Sequence, residues 1–104
     1  MWLKPIDVLI GNPRRMTEFL AEPDMHALVV EDDCLVARDC AALLRRQGAS
    51  SVDLARSAEE ALRAAERCPP RVALVDIHID GPVNGMLVGE MLAQDGVGVI
   101  YISG

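Results

Sequence analysis

Glu31-Asp32, Asp76 and Ser103 each close a short apolar run: ALVV, VALV and VIYI. A run without polar alternation reads as a strand covered on both faces. A carboxylate at the end of such a strand is costly unless it sits at an open edge with a partner. Carboxylates gathered on one rim repel one another and raise at least one pKa unless a cation joins them. Oxygen ligands without a His or Cys cluster favour a hard ion, and their small number points to Mg²⁺ that keeps several waters. A carboxylate beside Mg²⁺ can attack a phosphoryl group and form an acyl phosphate. A nearby hydroxyl or ammonium then shares the charge on the phosphoryl oxygens with the metal.

The elements that must position these residues alternate from Ala27 onward. ALVV ends at Glu31-Asp32-Asp33, and CLVARDCAALLRRQG follows with Val36, Cys40, Leu43 and Leu44 on one helical face and Gly48 as its stop. SVDLA predicts a shorter strand with Val52 and Leu54 inward. SAEEALRAAERC opens with Ser57 and Glu60 in capping-box spacing and ends before Pro69-Pro70. VALVD is the next strand, Gly81 to Gly85 a loop, MLVGEMLAQDG a helix weakened by Gly89, and VGVIYIS a last strand. The result is βαβαβαβ, a doubly wound α/β pattern whose parallel strands need right-handed crossovers. Ligands bind such sheets beyond the carboxyl ends of the strands, where strand order reverses. That rim is where the acidic pair, the single Asp and the hydroxyl arrive.

Bulk composition excludes more than it selects. The chain's 104 residues suit one small domain, and 51% hydrophobic with only 3% aromatic requires an aliphatic core. A net charge of −6 supplies no basic footprint for nucleic acid. No apolar stretch is long enough to span a bilayer, and the N-terminus lacks a signal-peptide core. Cys34, Cys40 and Cys68 have no ligand-like spacing and read as free thiols of a cytoplasmic protein. Asp33 reads as a helix cap, and the side chains of His26 and His78 as bystanders.

LVVEDD, ALVDIHIDGPVNG and VIYISG together resemble the receiver domain of two-component response regulators, over residues 27–104. The resemblance implies a flavodoxin-like sheet and a signalling domain rather than an enzyme. Asp76 would be the phosphoacceptor. Glu31 (through water), Asp32, Asp76 and the backbone carbonyl of His78 would hold Mg²⁺, and Ser103 would be the switch hydroxyl. The partner would be a histidine kinase or a histidine phosphotransfer protein. The rival readings are a pseudo-receiver that binds proteins without phosphorylation and a haloacid-dehalogenase-like phosphatase. The phosphatase class wants an Asp two residues after the nucleophile, where His78 stands.

The chain departs from the family pattern in ending after the fourth strand, so the expected sheet is incomplete. The Lys-Pro of a receiver's fifth strand does not follow. WLKPID, near the start, resembles it, and the segment RRMTEFLAE resembles part of the last helix. Residues 1–25 therefore read as an N-terminal extension, with a permuted fifth strand carrying Lys4 as one version, and residues 26–104 as the receiver-like domain. An uncovered last strand and one bare sheet face would otherwise invite a homodimer. The dimer is the favoured expectation.

Overall fold

A computed structural model describes residues 4–10 (backbone), 24–81 and 83–103. The elements run β1 (Lys4–Ile10), β2 (His26–Val30), α1 (Cys34–Arg46), β3 (Ser51–Ala55), α2 (Ala58–Arg67), β4 (Val72–Asp76), α3 (Gly85–Gln94) and β5 (Gly98–Ser103). Each helix starts on a side chain that satisfies its first free amides. Asp33 Oδ1 accepts from Leu35 and Val36, Ser57 Oγ from Glu60, and Asn84 Oδ1 from Leu87. The capping box at α2 is offset by one residue, because Glu60 accepts from the amide of Arg56 rather than from that of Ser57. Gly48 and Gly96 follow α1 and α3 with φ of 116° and 87°, a backbone that suits glycine. Gly85, expected in the loop, is the first residue of α3.

The strands form one sheet in the order β1-β5-β4-β2-β3. β3, β2, β4 and β5 are parallel, as the βαβ pattern requires. β4 lies at the centre, and each of its residues is buried, which is why its sequence shows no alternation. On one face Leu28, Val30, Ala73, Val75, Val99 and Tyr101 pack under the small residues of α2 and under Val88 and Leu92 of α3. On the other, Val29, Leu74, Ile100 and Ile102 share a cluster with Val36, Cys40 and Leu44 of α1. Leu54 departs from its expected inward position and is 48% exposed. It stands on β3, an outer strand with a neighbour on one side only, so its face lacks full cover.

The far edge differs from the expectation as well. β1 pairs with β5, so the edge that motivated a homodimer is occupied. Its direction is antiparallel, with Lys4 opposite Ser103 and Ile10 opposite Val99 and a register shift between Ile6 and Leu9. A fifth strand moved to the N-terminus by permutation would run parallel to β5. Residues 14–22, the proposed helix remnant, lie outside the described residues. Ile100 and Ile102, on the face expected to be bare, are 5% and 2% exposed.

Deleting residues 1–10 is expected to lower the melting temperature and to produce self-association that grows with concentration, because it unpairs an apolar strand. Melting curves and sedimentation at several concentrations check this. An unchanged, monomeric variant would contradict the edge pairing.

Candidate functional site

The chain passes from β2 to β3 on one side and returns to β4 on the other, so strand order reverses between β2 and β4. Glu31 directly follows β2 and Asp76 ends β4. The switch point thus carries two carboxylates at adjacent strand ends, where a doubly wound sheet opens its crevice. Both are buried, Glu31 at 5% and Asp76 at 7% exposure. Asp32 is more open than either. Ligand oxygens of Glu31, Asp32 and Asp76 all lie within 4.8 Å of one another, the carboxylate cluster found among the described residues. Asp33, its side chain engaged at the α1 cap, stands apart from it.

The electrostatic cost falls on Glu31. Burial, then a hydrogen bond to the Asp76 side chain and the charges of Asp76 and Asp32, push its pKa up to about 8. Its Oε2 is buried with no hydrogen-bond partner. An orphaned acceptor inside an acidic cluster is the environment a hard cation relieves, so these residues fit Mg²⁺. Asp76 is oriented from its own loop: Oδ1 accepts the backbone N–H of His78 at 2.9 Å, and the His78 side chain points to an exposed position. Ile77 donates to the Ile102 carbonyl at 3.1 Å, which ties the loop to β5. Asp76 pairs in register with Ile102, so Ser103 lies one residue beyond it on the neighbouring strand. Gly85 closes the other end of the loop, because a Cβ there would overlap the Asp76 carbonyl.

The expected residues are therefore gathered at one rim: Glu31, Asp32 and Asp76 in a cluster, Ser103 beside them, and Lys4 at the strand position opposite Ser103. A model of the response regulator receiver domain matches residues 27–104. The chain belongs to that family. Receiver domains are signalling domains, generally non-enzymatic, whose acidic residues bind Mg²⁺. Their membership sets the phosphatase reading aside.

Solved receiver structures are similar to this one. The signal receiver domain of a modulated diguanylate cyclase from Desulfovibrio desulfuricans G20 is 31% identical with a TM-score of 0.70, covering 77% of this chain and 65% of that one. The response regulator PhyR from Brucella abortus is 29% identical with a TM-score of 0.67, covering 81% of this chain and 35% of that one. The anti-anti-sigma factor PhyR from Bartonella quintana, complexed with the anti-sigma factor NepR, is 28% identical with a TM-score of 0.64 over 73% of this chain and 32% of that one. The chain thus spans just under two thirds of the first and about a third of the PhyR proteins. No curated protein matches it. Among the described residues no helix is long and apolar enough to cross a membrane.

Two arrangements escaped the sequence. At the opposite end of the sheet, His26 bridges Ser51 (Nδ1 to Oγ, 2.7 Å) and Asp53 (Nε2 to Oδ2, 3.1 Å) across β2 and β3. Nearer the site, the Tyr101 hydroxyl donates to the Met86 carbonyl at 2.9 Å. Both depend on strand register or helix packing that spacing alone does not reveal.

The raised pKa of Glu31 has a definite sign. The folded protein holds the Glu31 proton more tightly than the unfolded chain, whose value is the ordinary 4.5. Its stabilising contribution is full below that value and is lost as pH rises toward about 8. Without divalent metal, stability is therefore expected to fall across this window, and Glu31→Gln to flatten the fall. Urea unfolding in chelator at several pH values checks this. An equally steep pH dependence in the variant would contradict it.

Proposed function

We propose that this receiver domain accepts a phosphoryl group on Asp76 from the phosphohistidine of a histidine kinase or a phosphotransfer protein. In the transfer an Asp76 carboxylate oxygen forms the new O–P bond while the P–N bond to histidine breaks. The imidazole leaves with that electron pair. The observation that carries this reading is the trio of carboxylates within 4.8 Å, with Glu31 Oε2 buried and unpartnered. Glu31 (through water), Asp32, Asp76 and the His78 backbone carbonyl would hold Mg²⁺. Bound there, Mg²⁺ would supply charge neutralisation at the phosphoryl oxygens.

The remaining roles belong to this chain's own groups. The His78 amide fixes Asp76 by its hydrogen bond, leaving the second oxygen of the carboxylate as the nucleophile. Ser103, one residue past the partner of Asp76 on β5, is assigned the switch hydroxyl that turns toward the phosphoryl group. Lys4 is assigned the cation that binds the phosphoryl group. Its backbone begins β1 opposite Ser103, so an antiparallel strand delivers a lysine to the rim that a parallel fifth strand serves in the family. The domain is assigned to the cytoplasm, with no role in nucleic-acid contact or at a membrane. Self-association through β5 requires release of β1.

A second reading rests on one similarity: PhyR from Bartonella quintana forms a complex with NepR. On that reading the domain binds a protein partner without being phosphorylated.

Beryllofluoride in Mg²⁺, followed by calorimetry, and acetyl phosphate, followed by intact mass, separate the two. Wild type is expected to bind one equivalent and to gain one phosphoryl group, and Asp76→Asn to do neither. Asp32→Ala should abolish the Mg²⁺ dependence of melting, and Asp33→Ala should preserve it. Lys4→Ala should weaken beryllofluoride binding by on the order of tenfold without lowering the melting temperature. An adduct on both wild type and Asp76→Asn contradicts the acceptor assignment. Absence of any adduct favours the protein-binding reading.

A further inference from the structure

Tyr101 is the largest fully buried side chain among the described residues, and the phosphoryl chemistry gives it nothing to do. It stands on β5 two residues before Ser103, and its hydroxyl donates to the Met86 carbonyl in the first turn of α3. Its ring lies so close to that helix that a Cβ on Gly89 would overlap both the hydroxyl and the ring carbons. Burial, with Glu90 nearby, raises the Tyr101 pKa and keeps the hydroxyl a donor. Among the described residues this is the side-chain hydrogen bond that joins α3 to the sheet.

The helix needs such a tie. Gly85 and Gly89 both lower its intrinsic stability, so tertiary contacts decide where it sits. Its position matters because Gly85, the residue before Met86, packs directly on the Asp76 carbonyl. A slide of α3 would carry Gly85 off Asp76 and shift residues 77–81, whose His78 amide orients the carboxylate. From these contacts we infer that Tyr101 is a positioning residue for Asp76: by clamping the first turn of α3 to the strand that bears Ser103, it holds the acceptor loop and the switch strand in one register. Gly89 is its counterpart, left without a side chain so that the ring fits. The inference rests on the reading of Asp76 as acceptor.

Tyr101→Phe in the full chain tests it, with three readouts: melting temperature, beryllofluoride affinity in Mg²⁺, and amide chemical shifts of the ligand-free protein. The Met86 carbonyl keeps its intrahelical bond in the variant, so melting is expected to change little. Beryllofluoride affinity should fall on the order of fivefold, the scale of coupling through a packed contact. The amides of Ile77, His78 and Met86 should shift together. Gly89→Ala, which pushes the ring away, should move the same amides further. A tyrosine that merely fills the core is replaced by phenylalanine without consequence at the site: affinity and the Ile77 and His78 amides then stay unchanged, whatever the melting temperature does, and that result overturns the clamp. If wild type binds no beryllofluoride, the acceptor reading fails instead. The ligand-free amide shifts then still decide the clamp: movement at Ile77 and His78 supports it, and stillness there overturns it.

Discussion

Two carboxylates held side by side at the centre of a sheet, each almost out of reach of water, set the terms for everything around them. Glu31 and Asp76 repel when both are ionised, and burial removes the solvent that would screen them. The pair persists because its backbones are fixed by neighbouring strands that cannot drift apart: β2 and β4 are paired from Ala27 with Val72 to Val30 with Val75. The protein answers the repulsion in part by raising the pKa of Glu31, and one oxygen still lacks a partner. A cation, or a proton, is what the arrangement requires.

The surroundings serve that demand. The aliphatic core on both faces of β4 holds the strand ends rigidly. The acceptor loop is pinned at three points, by the His78 amide on Asp76, by Ile77 on the Ile102 carbonyl, and by Gly85 against the Asp76 backbone. A site of this kind tolerates little displacement, since preorganised groups lose their effect when their supports loosen. The antiparallel β1 extends the same logic to the edge of the sheet. It pairs an apolar strand that would otherwise template aggregation and starts at the chemical rim rather than at the far end.

The site was legible in the sequence because few structures explain a carboxylate ending an unbroken apolar run. VALVD forced a central strand, EDD supplied its partners, and Asp33 followed cap chemistry. What remained hidden depends on placement rather than on residue type. Period-2 alternation says that Val52 and Leu54 share a face but not whether that face is covered, and Leu54 proved exposed. The resemblance of Lys4-Pro5 to the end of a receiver's fifth strand implied a parallel course, whereas the pair opens β1, so the antiparallel direction could not be read from it. The bridge from His26 to Ser51 and Asp53 needs the register of β2 on β3. The seat of Tyr101 needs the missing side chain at Gly89, which in sequence looked only like a weak point in a helix.

Paramagnetic Mn²⁺ shares the oxygen preference of Mg²⁺ and broadens the NMR signals of nearby nuclei, so it reports directly where a cation settles. Added in small proportion to the metal-free protein, it should broaden the amide signals of residues 31–33 and 76–78 first, and excess Mg²⁺ should restore them. Broadening centred on other acids, such as Glu59 and Glu60 at the start of α2, with the switch-point signals untouched, would contradict the account.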